Sequence, residues 1–119
     1  MTRKQKIKWV IKELRKVSIK YPTRSAAKTA ARIERGVYIC AHCAELFRPK
    51  EIHVDHIDPV IEPSEGFVDW NTYIDRLFPK LSGFQILCKA CHKIKSDAEE
   101  EIRNEFRRKR REEKKKCSI

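Results

Sequence analysis

Two Cys-x-x-Cys pairs, Cys40 with Cys43 and Cys88 with Cys91, are the residues best suited by type and spacing to do chemistry. Zinc takes four soft or borderline ligands in a tetrahedron. A knuckle of this spacing presents two thiolates from one tight turn, so two knuckles complete the set whatever the length of chain between them. One pair alone is equally consistent with a redox centre, whereas two together point to metal ligation in a reducing compartment. Four protein ligands leave no open position, so the expected Zn²⁺ is structural and its binding free energy becomes folding free energy. The fifth cysteine, Cys117, sits in a charged tail and reads as a spare thiol.

A second constellation lies between and beside the knuckles. Asp55 and His56 are adjacent in the β-rich run Ile52 to Ile57, which Pro59 stops, and His92 directly follows the last paired cysteine. Neighbouring side chains on an extended segment point to opposite sides unless the strand ends there. Closing both knuckles on one ion is expected to bring these three residues close. Phosphodiester hydrolysis needs a base to deprotonate water and a cation to stabilise the developing charge and the leaving oxygen. Asp55 and His92 suit the cation and His56 the base. A carboxylate with an imidazole accepts Mg²⁺, Mn²⁺, Ni²⁺ or Zn²⁺, and residue type does not choose among them or between the two nitrogens of His56. His53 shares the Asp55 side of an ideal strand, where it orients Asp55, touches nucleic acid or is simply a solvated histidine. His42 is a turn residue of the first knuckle.

The elements that must position these groups follow from periodicity. Ile7, Val10, Ile11, Leu14 and Val17 form an apolar stripe that predicts a helix over 4–18. Thr23 or Ser25 can cap a second helix running through Ala26, Ala27, Ala30, Ala31 and Ile33 to Gly36. That helix would expose Arg24, Lys28, Arg32 and Arg35, read here as a phosphate-contacting face because almost no carboxylate accompanies it. Residues 58–68 make a loop. Asp69 then caps a helix whose Trp70, Tyr73, Ile74, Leu77 and Phe78 form a core stripe ending at Pro79. Phe84 to Leu87 is a short strand leading into Cys88. Ser96-Asp97-Ala98-Glu99 fits a capping box, so a last helix begins either there or near Lys89, and it is expected to fray into disorder beyond Arg103.

At 119 residues with 40% hydrophobic and 38% charged content, the chain has room for one domain and a small core. The formal charge is +11. Residues 1–35 contribute +10, 36–95 contribute −1 and 96–119 contribute +2, so a near-neutral centre follows a basic arm. That excess makes nucleic acid the leading partner. No segment has the apolar run of a secretory signal or a membrane span, and a soluble, cytoplasmic protein is expected.

Cys40-x-x-Cys43, then Val54-Asp55-His56-Ile57, then Phe84-Gln85-Ile86-Leu87-Cys88-x-x-Cys91-His92-x-x-Lys95 resembles the zinc-ribbon branch of the HNH endonucleases, of a type common in bacteriophages. The resemblance covers about residues 36–96. It implies an α+β fold with a small ββα-metal core (His-Me finger), a four-cysteine zinc knuckle and flanking basic helices. The division is then a basic helical extension over 1–36, a nuclease core over 37–98 and a charged helical or disordered tail over 99–119. It also implies a divalent-metal-dependent DNA nuclease in which the residue matching His56 is the base and those matching Asp55 and His92 hold the cation. Lys95 matches the Cys-His-x-x-Lys ending and can meet a phosphate, or is merely solvated. By analogy the role is phage DNA processing or packaging beside the terminase machinery, in the host cytoplasm. The middle Asn of the signature is missing: its usual place, five residues before the third zinc cysteine, is Gly83. Asn71 either substitutes from the preceding helix or is an exposed polar residue at a helix start. A competing reading is a zinc-ribbon module that binds nucleic acid after its nuclease signature decayed, and a more remote one is an adaptor docking through its N-terminal apolar stripe.

Overall fold

In the computed structural model the backbone of residues 1–117 and the side chains of 1–116 are described, so the Cys117 thiol lies outside the described residues. Thr2 starts helix α1 (Arg3–Ser18) with a reciprocal capping box. Its hydroxyl accepts the Gln5 N–H at 3.2 Å, and Gln5 Oε1 accepts the Thr2 N–H at 2.8 Å. Helix α2 (Pro22–Ala30) begins with proline at its first position, where no N–H is needed, and neither Thr23 nor Ser25 caps it.

Helix α2 stops six residues before Gly36, which corrects the longer helix expected there. Arg32–Glu34 forms strand β1, pairing antiparallel with β2 (Val37–Ile39) across a turn in which Gly36 has φ +74°. Glycine takes that left-handed conformation without steric cost, so it serves the hairpin and not a helix cap. Arg32 and Arg35 therefore leave the helical face that Arg24 and Lys28 share. Strand β3 (Leu46–Phe47) adds to β2 and completes a three-stranded sheet.

The second sheet has two antiparallel strands, β4 (Ile52–His56) and β5 (Phe84–Cys88), paired from Ile52 opposite Cys88 to His56 opposite Phe84. Helix α3 (Trp70–Leu77) lies between them in sequence. Asp69 caps it by accepting the Thr72 N–H at 2.7 Å. Tyr73 and Leu77 are almost wholly buried, and the Tyr73 hydroxyl donates to the Ile11 carbonyl of α1 at 3.2 Å. These contacts anchor the N-terminal helix to the body.

Strand β5 runs straight into α4 (Lys89–Cys117), so the last helix starts near Lys89 and the Ser96 capping box is not used. Among the described residues the helix continues past Arg103 to Cys117, in place of the fraying expected there. Glu105 pairs with Arg108 and Lys109, and Arg108 with Glu112, each three or four residues apart, which supports a helix with little to pack against. Phe106 lies against Gly66 of the 58–68 loop. The chain is thus a small α+β fold with four helices and two small antiparallel sheets among the described residues, plus a four-cysteine cluster. Among those residues no helix is long and apolar enough to cross a membrane.

Candidate functional site

The first knuckle is the turn between β2 and β3. Cys40 N–H donates to the Glu45 carbonyl and Ala44 N–H to the Cys40 carbonyl, both at 3.0 Å, while Ala44 takes φ +61° to close the turn. Ala41 N–H docks the turn onto β5 by donating to the Ile86 carbonyl at 2.8 Å. Cys88 ends β5 and Cys91 stands in the first turn of α4, so the second knuckle is the strand-to-helix junction. All four Sγ atoms lie within 4.8 Å of one another, and those of Cys43 and Cys88 are 4.0 Å apart. A tetrahedron with zinc–sulfur bonds of about 2.3 Å has edges near ~3.8 Å, whereas a disulfide needs ~2.05 Å. The cluster fits a metal ion such as zinc.

Electrostatics prepares the same site. Burial opposes ionisation of Cys40, but backbone N–H groups of Cys43, Cys88 and His42 directed at its sulfur outweigh it and bring the pKa down to about 6. The hydrogen bond with Cys88 and burial push Cys91 up to about 12. The Cys40 thiolate forms readily, whereas Cys91 keeps its proton until a cation displaces it.

Side chains of the β4–β5 ribbon alternate between its faces. Asp55 stands opposite Gln85 on the face that α4 covers. Asp55 Oδ2 accepts from Gln85 Nε2 at 2.9 Å and Lys95 Nζ at 2.7 Å, while Oδ1 faces His92 Nε2 at 3.8 Å. Lys95 is saturated, because it also donates to the His56 carbonyl at 2.6 Å and reaches Glu99 at 3.3 Å. His53 stacks on His92 with ring centroids 4.7 Å apart, and burial followed by the neighbouring charge of His92 and Lys89 lowers its pKa.

His56 occupies the other face, opposite Phe84, with ring centroids 5.0 Å apart. Its Nε2 lies 3.0 Å from the carbonyl of Leu77, the last residue of α3, whose helical hydrogen bond is missing. A carbonyl only accepts, so Nε2 carries the proton and Nδ1 holds the free lone pair. Burial lowers the pKa of His56, and the positive charges of Arg24 and Arg15 push the same way. Arg24 donates to the Val54 carbonyl of β4 at 3.3 Å and lies close enough to Asp55 and His56 to influence both charges.

Asp55, His92 and Lys95 are therefore gathered on one face, and His56 with Arg24 lies at the end and edge of the same strand. Asn71 does not join them: it is exposed on the first turn of α3, and its side chain forms no hydrogen bond among the described residues. Lys28 leans over the Tyr38 ring at 5.5 Å, and Arg32 bonds the Glu34 carbonyl at 3.3 Å. Sequence reasoning missed the support that Gln85 and Lys95 give Asp55. Gln85 was findable, as the residue facing Asp55 once the two strands are paired from the knuckle outward. Comparison with family models, with curated proteins and with solved structures returns no match to this chain.

Proposed function

We propose that this chain is a metal-dependent DNA endonuclease of the HNH type, with β4, β5 and α4 as its ββα-metal core and zinc on the four cysteines. The observation that carries the reading is the Asp55 Oδ1 to His92 Nε2 pair at 3.8 Å, with His56 at the end of the same strand and its Nε2 tied to the Leu77 carbonyl. Oxygen and nitrogen ligands on adjacent positions of a small cation lie about 3–3.4 Å apart for bonds near ~2.1 Å, so a slight rotation of His92 suffices.

Asp55 and His92 would hold a divalent cation such as Mg²⁺ or Mn²⁺, which when bound would supply Lewis-acid stabilisation of the developing charge and of the leaving 3′ oxygen. His56 Nδ1 takes the proton of the attacking water while the Leu77 carbonyl holds the ring, and the products carry 5′-phosphate and 3′-hydroxyl ends. Arg24, at the edge of β4, meets the non-bridging phosphate charge. By family analogy the context is phage DNA processing or packaging, next to terminase.

Two observations favour a second reading, a zinc-ribbon module that binds nucleic acid without cutting it. The Lys95 ammonium already neutralises Asp55, and Gly83 stands where the signature has Asn. Plasmid incubated with Mg²⁺ or Mn²⁺, with no divalent ion added, and with His56→Ala separates the two. Metal-dependent nicking lost in the variant is expected. Equal nicking by both proteins identifies a contaminant, and no nicking with any metal selects the binding module.

A further inference from the structure

Beyond Phe106, helix α4 leaves the body, and residues 107–116 are all exposed. The charges there are not mixed at random. Arg108 and Lys109 are taken up by Glu105 and Glu112. Arg103, Arg107, Arg110, Arg111 and Lys114 form no ion pair among the described residues. At ~100° per residue these five fall on one side of the helix, at spacings of four, three, one and three, while the paired cations fall on another.

The unpaired stripe is in line with the candidate site. Arg110 follows His92 by 18 residues, which is five helical turns, so it lies over the same side of α4 about 27 Å further along. Arg103 and Lys114 depart from that line by only about 20° and 40°. We propose that the projecting half of α4 is a second nucleic-acid arm, whose unpaired stripe lies along the phosphates of duplex DNA extending away from the Asp55–His92 pair. The direction of the duplex rests on the nuclease reading; the binding does not.

Two features favour duplex DNA over other polyanions, and a third favours a polyanion as the partner. A membrane-surface helix needs an apolar face, but from residue 103 to 116 the only large apolar side chain is Phe106, which is already placed against Gly66. A helix about 10–12 Å across matches the ~12 Å major groove of B-DNA, whereas the major groove of A-form RNA is too narrow. Carboxylates are confined to the other sides of the arm, which leaves the stripe purely cationic.

The test is fluorescence anisotropy of a labelled duplex in buffer without added Mg²⁺ or Mn²⁺, titrated with NaCl, on the full zinc-loaded chain. Arg107→Gln with Arg111→Gln is compared with Arg108→Gln with Lys109→Gln, since each pair removes the same formal charge. Each phosphate contact contributes about 0.9 to the slope of log K against log[salt], so the first pair should flatten it by about 1.8 and the second should leave it unchanged. Arg107→Lys with Arg111→Lys should keep the parent slope, which separates lost contacts from a perturbed helix. Equal flattening by both Gln pairs, no change in either, failure of the parent chain to bind, or tighter binding to duplex RNA or anionic vesicles would overturn the proposal. A chain that cuts nothing in Mg²⁺ but shows the expected slopes defeats only the nuclease reading.

Discussion

The Lys95 ammonium lies 2.7 Å from Asp55 Oδ2 and fills the place beside that carboxylate where a cation would otherwise be drawn. Lys95 keeps 26% of its side-chain surface exposed and Asp55 12%, so the pair is only partly desolvated. Lys95→Met should lower stability by about 1–3 kcal/mol, less than the ~3–5 kcal/mol of a fully buried pair, read as a shift in urea midpoint at constant m-value. The same variant removes a like charge from beside the proposed Asp55–His92 cation site, so Mn²⁺ should bind more tightly by calorimetry. Weaker Mn²⁺ binding would instead mean that Lys95 acts by orienting Asp55.

The zinc centre is expected to decide whether the chain folds. Apparent zinc binding of about 10–16 kcal/mol is as large as the ~5–15 kcal/mol total stability of an ordinary domain. Chelation or Cys43→Ser should therefore abolish the cooperative transition seen by circular dichroism, with one zinc per chain in the intact protein. Because Cys91 holds its proton up to about 12, binding must release protons, and zinc affinity should fall as pH falls. A metal-free chain that still unfolds cooperatively with the same midpoint would exclude a structural ion.

How much of this was legible in the sequence differs from element to element. The cysteine spacing, the α1 stripe and the Asp69 cap are local signals, and each stands where expected. The β1–β2 hairpin was not legible because Ala30, Ala31 and Arg32 suit a helix, and only pairing with Val37–Ile39 makes Arg32–Glu34 a strand. The long α4 was misjudged for the opposite reason: with few apolar residues it looked unable to persist, yet ion pairs between Glu105, Arg108, Lys109 and Glu112 run along it. The contact of Lys95 with Asp55 spans 40 residues and has no periodic signal at all.

His56 should give the pH dependence its shape. Burial lowers its folded pKa below 6.5, so the unfolded chain binds the proton more readily. Stability should then fall as pH drops through about 6.5 toward the folded pKa, and no further below it. The neutral base persists over that window, which places the acid limb of kcat/KM for nicking below pH 6.5. His56→Ala should remove that limb and cost about 10²–10⁴ in rate. An acid limb above pH 6.5, or one unchanged in the variant, would assign the base elsewhere.

Gly83, at the place where the HNH signature has Asn, leaves no room for a side chain. A Cβ at this position would stand 2.6 Å from Pro79 Cβ and 3.1 Å from its Cγ, closer than a ring fixed to the backbone can yield. The Gly83 carbonyl also accepts the Ile57 N–H at 2.9 Å, which holds the chain just past His56 against the start of β5. Any side chain must move the Leu81–Gly83 turn and with it that hydrogen bond. Both Gly83→Ala and Gly83→Asn should therefore destabilise by about 1–3 kcal/mol, the usual cost of forcing atoms into a packed site. Nicking by Gly83→Asn should not exceed that of the parent, because the displaced turn loosens the strand end that carries His56. A variant with an unchanged thermal midpoint and faster nicking would show that this turn yields freely and that the missing amide had been limiting.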